Sequence, residues 1–344
     1  MTRVSRFDYE LPSELIAQRP LPRRDDARMM VVRRDNGQIV HGRFKDLAAN
    51  FRPGDLLVLN DTRVIPAKVW GERGRAKIEF LFIREREPGV WEVLCRPARR
   101  LGAGDAVRFA AGFEGRVIEE GDEGRRVLHF ASPDVLRRLK DIGYAPLPPY
   151  IKRAKEDPAR RREDLERYQT IFAGPDGAIA APTAGLHFTP DTLAALRTGG
   201  VEVVTVTLEV GQATFQPVRV ETVAEHRMLE ERYTVSAAAA GGLMTAKSRG
   251  VPVTAVGTTV VRALESSWRD GEIRTGTRAT DLFIHPGYAF QVVDRLLTNF
   301  HLPRSTLLML VSAFGGYDLI KRAYREAVRE RYRFYSYGDC MLIL

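Results

Sequence analysis

The sequence contains very little cysteine and no long apolar run. Cys95 and Cys340 stand far apart and outside any C-x-x-C spacing, which excludes a disulfide framework and favours a reducing compartment. The longest apolar stretch, 306–314, is much shorter than the roughly 20 residues that cross a membrane. The first residues also lack the apolar core of a signal peptide. We therefore expect a cytoplasmic protein without a membrane segment.

Common nucleotide and metal motifs are also missing. No G-x-x-x-x-G-K-[ST] occurs, and Gly102-Ala-Gly104 has neither a third glycine nor a following helix, so a P-loop enzyme or Rossmann dehydrogenase is excluded. The six histidines show no metal-ligand spacing. The sequence therefore predicts no metal site and no permanently bound cofactor.

Basic residues exceed acidic ones, and nearly all of them are arginine. The 344 residues include 53 Lys and Arg against 44 Asp and Glu, a formal charge of +9, and only eight of the 53 are Lys. Arginine suits phosphate and stacks on bases, which favours a nucleic-acid partner, although GC-rich coding or a thermophilic host explains the enrichment equally well. Two clusters of arginines are candidates for phosphate contacts: Arg96, Arg99 and Arg100, then Arg160, Arg161 and Arg162. For the cluster at 160–162, a solvated surface without a ligand is an equal alternative.

The pattern of apolar residues changes along the chain. Asn36-Gly37 lies between two apolar runs, as in a tight hairpin. Short alternating runs from 69 to 130 predict a small barrel, and the Pro-rich, charged stretch 144–168 predicts an exposed connection. Beyond residue 180 helices and strands alternate, with Thr189-Pro190 as a helix start, which predicts α/β layering.

Three loops combine small or polar residues in a way that suits a ligand. Residues 180–189, which include Thr183 and His187, would let backbone approach a ligand closely before a helix begins. Residues 253–259 run from a strand through Gly257 into a helix, so Thr258 and Thr259 lie at a positive dipole end, although ordinary capping accounts for the same letters. Residues 298–303 bring Asn299 and His301 ahead of an apolar run. A packing turn is the alternative in each case.

Glu225-His226 places a carboxylate next to an imidazole, a pair able to hold a proton near neutral pH. Since sequence neighbours on a strand point to opposite faces, the pair alone is weak support for a site.

These segments together resemble the S-adenosylmethionine:tRNA ribosyltransferase-isomerase family of queuosine biosynthesis, almost from end to end. The motifs, in the family's order, are FDYELPSELIAQRPLPRRDDAR, PGDLLVLNDTRVIPAKVWG, YAPLPPYI, RYQTIFA, AAPTAGLHFT, AVGTTVVRALES, TNFHLPRSTLLMLVSAF and YRFYSYGD. The resemblance implies an α/β fold in which a layered main domain, 1–68 and 145–344, is interrupted by a small β-barrel domain, 69–144.

The implied reaction moves and isomerises the ribosyl part of S-adenosylmethionine, a co-substrate, onto 7-aminomethyl-7-deazaguanine at the wobble position of tRNA. Adenine and methionine leave, and epoxyqueuosine-tRNA forms. The sulfonium acidifies the neighbouring ribose carbon, so a base can remove a proton there, and the attacking amine must be neutral. At least two proton-handling groups are therefore needed.

Polar residues within the family motifs supply candidates for these roles. His187 and His226 are candidates for proton transfer, with Glu209 and Asp61 as alternative bases. The S-adenosylmethionine contacts would be Thr183, Gly257, Thr258, Thr259, Asn299 and His301, with the two threonines at the helix start on the methionine carboxylate. The tRNA would present its anticodon loop to a monomeric protein. Alternatives are a methyltransferase using the same co-substrate and a non-catalytic RNA-binding protein.

The sequence departs from the family pattern at several positions. Glu209 stands where histidine is expected, Gln212-Ala213 replaces Ala-Gly, Leu229-Glu230 replaces His-Ser, and His285 replaces Tyr. Glu209 is a candidate substitute for a histidine base, but a carboxylate and an imidazole differ in charge and pKa, so its role stays open.

Overall fold

A computed structural model describes residues 2–153, 158–211 and 218–344, which places Gln212-Ala213 outside the described residues. Its main feature is a nine-stranded mixed sheet, in the spatial order β17-β13-β12-β3-β14-β18-β19-β1-β2. These strands are β1 Arg28–Val32, β2 Ile39–Arg43, β3 Leu56–Asn60, β12 Glu202–Leu208, β13 Glu231–Val235, β14 Val253–Val256, β17 Gly276–Thr280, β18 Arg295–Asn299 and β19 Cys340–Ile343.

The centre of the sheet is parallel and buried on both faces. β12, β3, β14 and β18 run parallel to one another, and β19 lies between β18 and β1, antiparallel to β18 and parallel to β1. Every residue of β3 is buried, with Leu56 and Val58 packing into one apolar cluster and Leu57 and Leu59 into another. A strand covered on both faces has no polar side, which explains its continuous apolar run.

Helices cover these faces and connect the strands. They are α1 Val135–Ile142, α2 Pro158–Arg167, α3 Pro190–Thr198, α4 Ala237–Ser248, α5 Thr258–Ser267, α6 Thr306–Gly315 and α7 Tyr317–Arg329. Thr189 caps α3 by accepting a hydrogen bond from the Thr192 N–H, as the Thr-Pro pair predicts. No helix within the described residues is both long enough and apolar enough to span a bilayer.

Six further strands close into a barrel, in the order β10-β7-β6-β5-β8-β9. They are β5 Lys68–Arg73, β6 Ala76–Glu87, β7 Val90–Arg96, β8 Ala106–Phe109, β9 Glu114–Glu120 and β10 Arg125–His129. Ile78, Phe80 and Phe82 alternate into the barrel interior, where Phe113 stacks on Phe130 with ring centroids 4.5 Å apart. The predicted α/β fold with a small β-barrel is therefore confirmed.

The barrel enters and leaves the rest of the chain at one place. Lys68 and Tyr144 pair through two backbone hydrogen bonds, of 3.2 and 2.8 Å. This pairing is consistent with a domain inserted at 69–144, and the domain boundaries themselves stay a prediction.

Two minor strand pairs complete the fold: β4 Arg63–Val64 with β11 Asp176–Ala178, and β15 Trp268–Arg269 with β16 Glu272–Ile273.

The expected connection over 144–168 is only partly irregular, since α2 forms within it. The Arg161 guanidinium donates to the carbonyls of Lys140, Asp141 and Gly143 at the end of α1. Arg153 pairs with Asp164 on α2, with an Nε to Oδ2 distance of 2.9 Å. These contacts pack the charged segment against α1 and hold Arg153 on α2. The amino-acid composition of the segment does not predict them.

Candidate functional site

A cleft opens where neighbouring parallel strands of the main sheet end. β3, β14 and β18 lie side by side, and their carboxyl ends face the same edge of the sheet. In open α/β sheets this edge is where ligands usually bind. The cleft is lined by Tyr150, Tyr168, residues 180–184, Val210, residues 257–259, residues 298–302, Ser305, Leu307, Tyr335 and Ser336.

The six residues predicted to contact S-adenosylmethionine all line this cleft: Thr183, Gly257, Thr258, Thr259, Asn299 and His301. They come from three loops that are distant in sequence, and parallel pairing of the strands brings them together. Their binding role is not tested by this placement and stays a prediction.

Gly257 makes the turn from β14 into α5. Its backbone has φ 91° and ψ 153°, a region that side chains rarely tolerate, while its N–H donates to the Leu297 carbonyl at 2.8 Å. Asn60 at the end of β3 donates to the Thr259 hydroxyl at 3.3 Å and to the Leu208 carbonyl at 3.0 Å. The first turn of α5 is therefore held in place from two neighbouring strands, with its N–H groups towards the cleft edge.

Asn299 and His301 are buried at the end of β18. Asn299 donates from Nδ2 to the Tyr335 carbonyl at 2.8 Å, and its Oδ1 is buried without a hydrogen-bond partner among the described residues. His301 Nε2 lies 2.9 Å from the Thr298 hydroxyl, and burial lowers the pKa of His301 to about 3. His301 is therefore neutral at pH 7, and the Asn299 side chain, which also interacts with His187, keeps an acceptor with no direct partner among the described residues.

Sequence reasoning did not assign three further residues of the cleft. The rings of Tyr150 and Tyr335 lie 4.6 Å apart, and the Tyr150 hydroxyl is 2.7 Å from the Ser336 hydroxyl. Tyr335 has φ 71°, an uncommon conformation for a bulky residue and one that clusters at functional sites. Tyr335 and Ser336 lie in a polar, aromatic segment near the end of the sequence, which indicated a loop beside a pocket without giving the residues a role.

His187 is buried next to the cleft and not in its lining. Its ring lies 5.2 Å from the Phe44 ring, and its Nε2 has no hydrogen-bond partner among the described residues. Burial lowers the pKa of His187 to about 4, the nearby Asn299 side chain opposes that shift, and Arg333 adds to it. His187 is thus a neutral imidazole at pH 7 that contacts the cleft through Asn299.

Asp61 and Glu209 lie close to the ends of β3 and β12 but do not line the cleft. Asp61 accepts from the Thr207 hydroxyl at 2.6 Å. Glu209 pairs with Arg232, with an Nε to Oε1 distance of 3.4 Å, and burial raises the pKa of Glu209 against the effect of Arg232. The next residue, Val210, does line the cleft. In its present position the Glu209 side chain faces Arg232, so it would have to rotate away from Arg232 to reach a ligand in the cleft.

His226 is outside the cleft lining as well. It is half-buried against the edge of Phe283, with centroids 5.1 Å apart, and His285 packs on the same ring at 5.2 Å. Burial lowers the pKa of His226. The structure does not bring His226 and His187 into one hydrogen-bond network among the described residues, so the predicted pair of proton-handling histidines has no geometric support.

The predicted phosphate-binding arginines lie at two places. Arg96, Arg99 and Arg100 are exposed at one end of the barrel, after β7. Arg160 and Arg162 are on α2, where Arg162 is exposed, while Arg161 is occupied by the carbonyls at the end of α1. No group of three His, Cys, Asp or Glu side chains in the described part of the chain is arranged to hold a metal ion.

Comparisons with known proteins agree with this arrangement. A family model described as queuosine biosynthesis protein matches residues 4–343. The S-adenosylmethionine:tRNA ribosyltransferase-isomerase of Moorella thermoacetica is 50% identical over 99% of this chain and 100% of its own. That of Desulforamulus reducens is 48% identical with the same coverage.

A solved structure is similar along the whole chain. The S-adenosylmethionine tRNA ribosyltransferase of Thermotoga maritima shares 39% identity and a TM-score of 0.57, covering 99% of this chain and 100% of its own. The resemblance inferred from the motifs is therefore confirmed, and the chain belongs to the queuosine biosynthesis protein family.

Proposed function

We propose that the chain transfers and isomerises the ribosyl group of S-adenosylmethionine onto 7-aminomethyl-7-deazaguanine at the wobble position of tRNA, releasing adenine and methionine. The observation that carries this proposal is the meeting of the motif residues Thr258, Asn299 and His301 in one cleft at the carboxyl ends of parallel strands. The proposal also agrees with the names of the full-length relatives. We expect the reaction in the cytoplasm, where tRNA is found.

The first turn of α5 suits the methionine carboxylate. Its unpaired N–H groups and the positive end of the helix dipole favour an anion, and the Thr258 and Thr259 hydroxyls add donors. Asn299 Oδ1, buried without a partner among the described residues, suits a hydroxyl of the ribose or the amino group of adenine. These contacts would hold the sulfonium and the sugar inside the cleft.

Among the predicted bases, burial and the interaction with Asn299 at the cleft favour His187. A base must be unprotonated to remove the proton next to the sulfonium, and the lowered pKa of His187 keeps its imidazole neutral at pH 7. Adenine then leaves with the electron pair of its bond to the sugar and takes up a proton, and the amine of the deazaguanine bonds to that sugar carbon and gives up a proton. Methionine leaves with the electron pair of the carbon–sulfur bond as an oxygen of the sugar bonds to the same carbon and closes the epoxide. Asp61 and Glu209 remain candidates for the second proton.

The direct test combines the protein with S-adenosylmethionine and tRNA that carries the deazaguanine precursor. We expect free adenine and methionine in equal amounts. Formation of S-adenosylhomocysteine would instead indicate a methyltransferase, and tight RNA binding without any change in S-adenosylmethionine would indicate a binding protein. Either result refutes the proposal.

Single substitutions test the proposed roles of Asn299 in binding and His187 in proton transfer. Asn299→Ala and His187→Gln should lower the single-turnover rate at least tenfold, whereas His129→Gln, an exposed change on β10, should leave it unaltered. Wild-type rates for His187→Gln would remove His187 from proton transfer.

The tRNA is expected to meet the exposed arginines by phosphate contacts. Binding should therefore weaken steeply as salt concentration rises. Replacing Arg96, Arg99 and Arg100 together by glutamine should lower the slope of log affinity against log salt, and an unchanged slope would exclude this end of the barrel from the interface. The monomeric state stays a prediction that sedimentation can check.

A further inference from the structure

A second, shallow cavity lies beside the cleft and shares Ser336 with it. The polar groups around this second cavity come from Arg24, Arg167, His187, Ser336 and Tyr337. None of the motif residues predicted to contact S-adenosylmethionine lines it. The cavity therefore adjoins the proposed S-adenosylmethionine cleft, and the candidate base His187 lies on its side of the boundary.

Three guanidinium groups meet at this cavity. Arg24 and Arg167 line it, and Arg333 lies beside it, where its guanidinium donates to the carbonyl of Arg19, the residue before the lining residue Pro20. Burial lowers the pKa of Arg24, and the neighbouring Arg167 charge lowers it further. Like charges gathered at a half-buried place repel one another, so this arrangement needs a compensating anion.

No carboxylate of the described residues pairs directly with these groups. Arg24, Arg167 and Arg333 form no ion pair within the described residues, and they donate to backbone carbonyls, such as Arg24 Nη1 to Gln169 at 2.6 Å. Asp339 is nearby, but its carboxylate accepts the main-chain N–H groups of Arg28 and Arg333 at 2.9 and 2.8 Å. Asp339 offsets the Arg333 charge in part, and Glu166 that of Arg24, so the three guanidinium charges are only partly compensated.

Several donors at this cavity are also unused. Arg167 Nε, Arg333 Nη1 and the Tyr337 hydroxyl are each buried without a hydrogen-bond partner among the described residues. Buried polar groups are nearly always paired in folded proteins, so a cluster of unpaired donors indicates an acceptor that binds there. Guanidinium forks match the oxygens of phosphate in particular.

We propose that this second cavity, lined by Arg24 and Arg167 with Arg333 beside it, binds a phosphodiester group of the tRNA backbone next to the wobble nucleotide. The inference rests on the proposed function, since it requires the wobble base to enter the adjoining cleft. Ser336, on the boundary, would face the nucleotide on one side and its phosphate on the other. The site would fix the position of the RNA backbone without reading its sequence.

The test removes single charges from both partners. Anticodon stem-loop RNAs are prepared with one neutral methylphosphonate at each phosphate around the wobble position, and affinity for wild type and Arg333→Gln is measured by fluorescence anisotropy. We expect one methylphosphonate position to weaken wild-type binding about tenfold, Arg333→Gln to weaken binding similarly, and the two changes together to add nothing further.

Controls separate charge from folding. Arg333→Lys keeps the charge and should recover part of the affinity, and urea denaturation should show that each variant is folded. In Arg333→Gln the slope of log affinity against log salt should fall by about 0.7, the value for one single-stranded phosphate contact. Arg249→Gln, an exposed change after α4 at the opposite edge of the sheet, should leave the affinity and the slope unchanged.

Two outcomes would overturn the site. Additive losses at every methylphosphonate position would show that Arg333 contacts no phosphate. A weaker affinity of Arg333→Gln for S-adenosylmethionine, with RNA affinity unchanged, would show that the anion belongs to the co-substrate. If wild type binds with the expected coupling but releases no adenine and methionine, the proposed function fails while the phosphate site stands.

Discussion

Replacing Gly257 by alanine tests the proposed cleft, because the backbone conformation of Gly257 affects protein stability and its position at the start of α5 affects S-adenosylmethionine binding. A Cβ at residue 257 would lie 3.6 Å from the Ala184 Cβ and the Thr259 Oγ1, which is ordinary contact, so Gly257→Ala creates strain in the backbone and no clash. Holding alanine at φ 91° costs about 1–3 kcal/mol, and the stiffer unfolded chain offsets about 0.5–1 kcal/mol of that. We expect a net loss of roughly 1–2 kcal/mol in unfolding free energy.

The same substitution should also weaken S-adenosylmethionine binding. Relief of the strain requires rotation of the peptide that begins α5, which turns the Thr258 and Thr259 N–H groups away from the cleft. A loss of about 1 kcal/mol in binding corresponds to roughly fivefold in dissociation constant. Urea denaturation and titration calorimetry measure the two effects on the same preparation.

Two other glycines serve as matched controls. Gly250 has φ 65° and open space around its Cβ at the opposite edge of the sheet, so Gly250→Ala should cost about 1–2 kcal/mol of stability and leave binding unaltered. Gly241 within α4 has open space and an ordinary helical conformation, so Gly241→Ala should stabilise by about 0.5–1 kcal/mol. The reasoning is refuted if Gly257→Ala matches Gly241→Ala in stability, or matches Gly250→Ala in S-adenosylmethionine affinity.

Three further predictions concern stability. Burial holds the pKa of His187 at about 4, so the unfolded chain takes up a proton that the folded state resists, and stability falls as pH drops below about 6.5. Between pH 7 and 5 His187 contributes a loss of about 2 kcal/mol, to which His301, with a pKa of about 3, adds a similar loss; His187→Gln should therefore remove about 2 kcal/mol of the total loss and His129→Gln none of it in urea titrations. Glu265 accepts the N–H groups of residues 291–293 at 2.8–3.0 Å, so Glu265→Ala should lower unfolding free energy by at least about 3 kcal/mol, and a smaller loss would contradict that account. Arg161→Gln should destabilise by about 1–2 kcal/mol through lost carbonyl contacts, whereas Arg162→Gln should only weaken tRNA binding, so equal stability losses would argue against the distinction.

Local patterns in the sequence anticipated much of the fold. The Asn36-Gly37 turn joins β1 and β2, and Gly37 has φ 70°, as a tight hairpin requires. Alternation of apolar residues in β6 marked a strand with one buried face, and the barrel followed from several such runs. Helix starts such as Thr189-Pro190 depend on hydrogen bonds within a few residues, so they are visible in a short segment.

The candidate site was only partly visible in the same way. The motif loops named Thr258, Asn299 and His301, and strand order then placed them in one cleft. The sequence did not reveal that His226 lies outside the lining, that Tyr335 adopts φ 71°, or that Arg24 and Arg167 share a cavity. These properties depend on contacts between segments that are distant in sequence, such as Arg24 and Arg167.

Short-range rules therefore account for the elements of this protein, and long-range packing accounts for its chemistry. Hydrogen-bond geometry and the burial of one face act over a few residues, which is why strands, turns and helix caps can be read from the chain. The pKa values of His187 and His301 instead depend on how many distant atoms exclude water from each ring. Likewise, the insertion of β19 between β18 and β1 is fixed by pairing across the whole chain, and no local pattern specifies that partner.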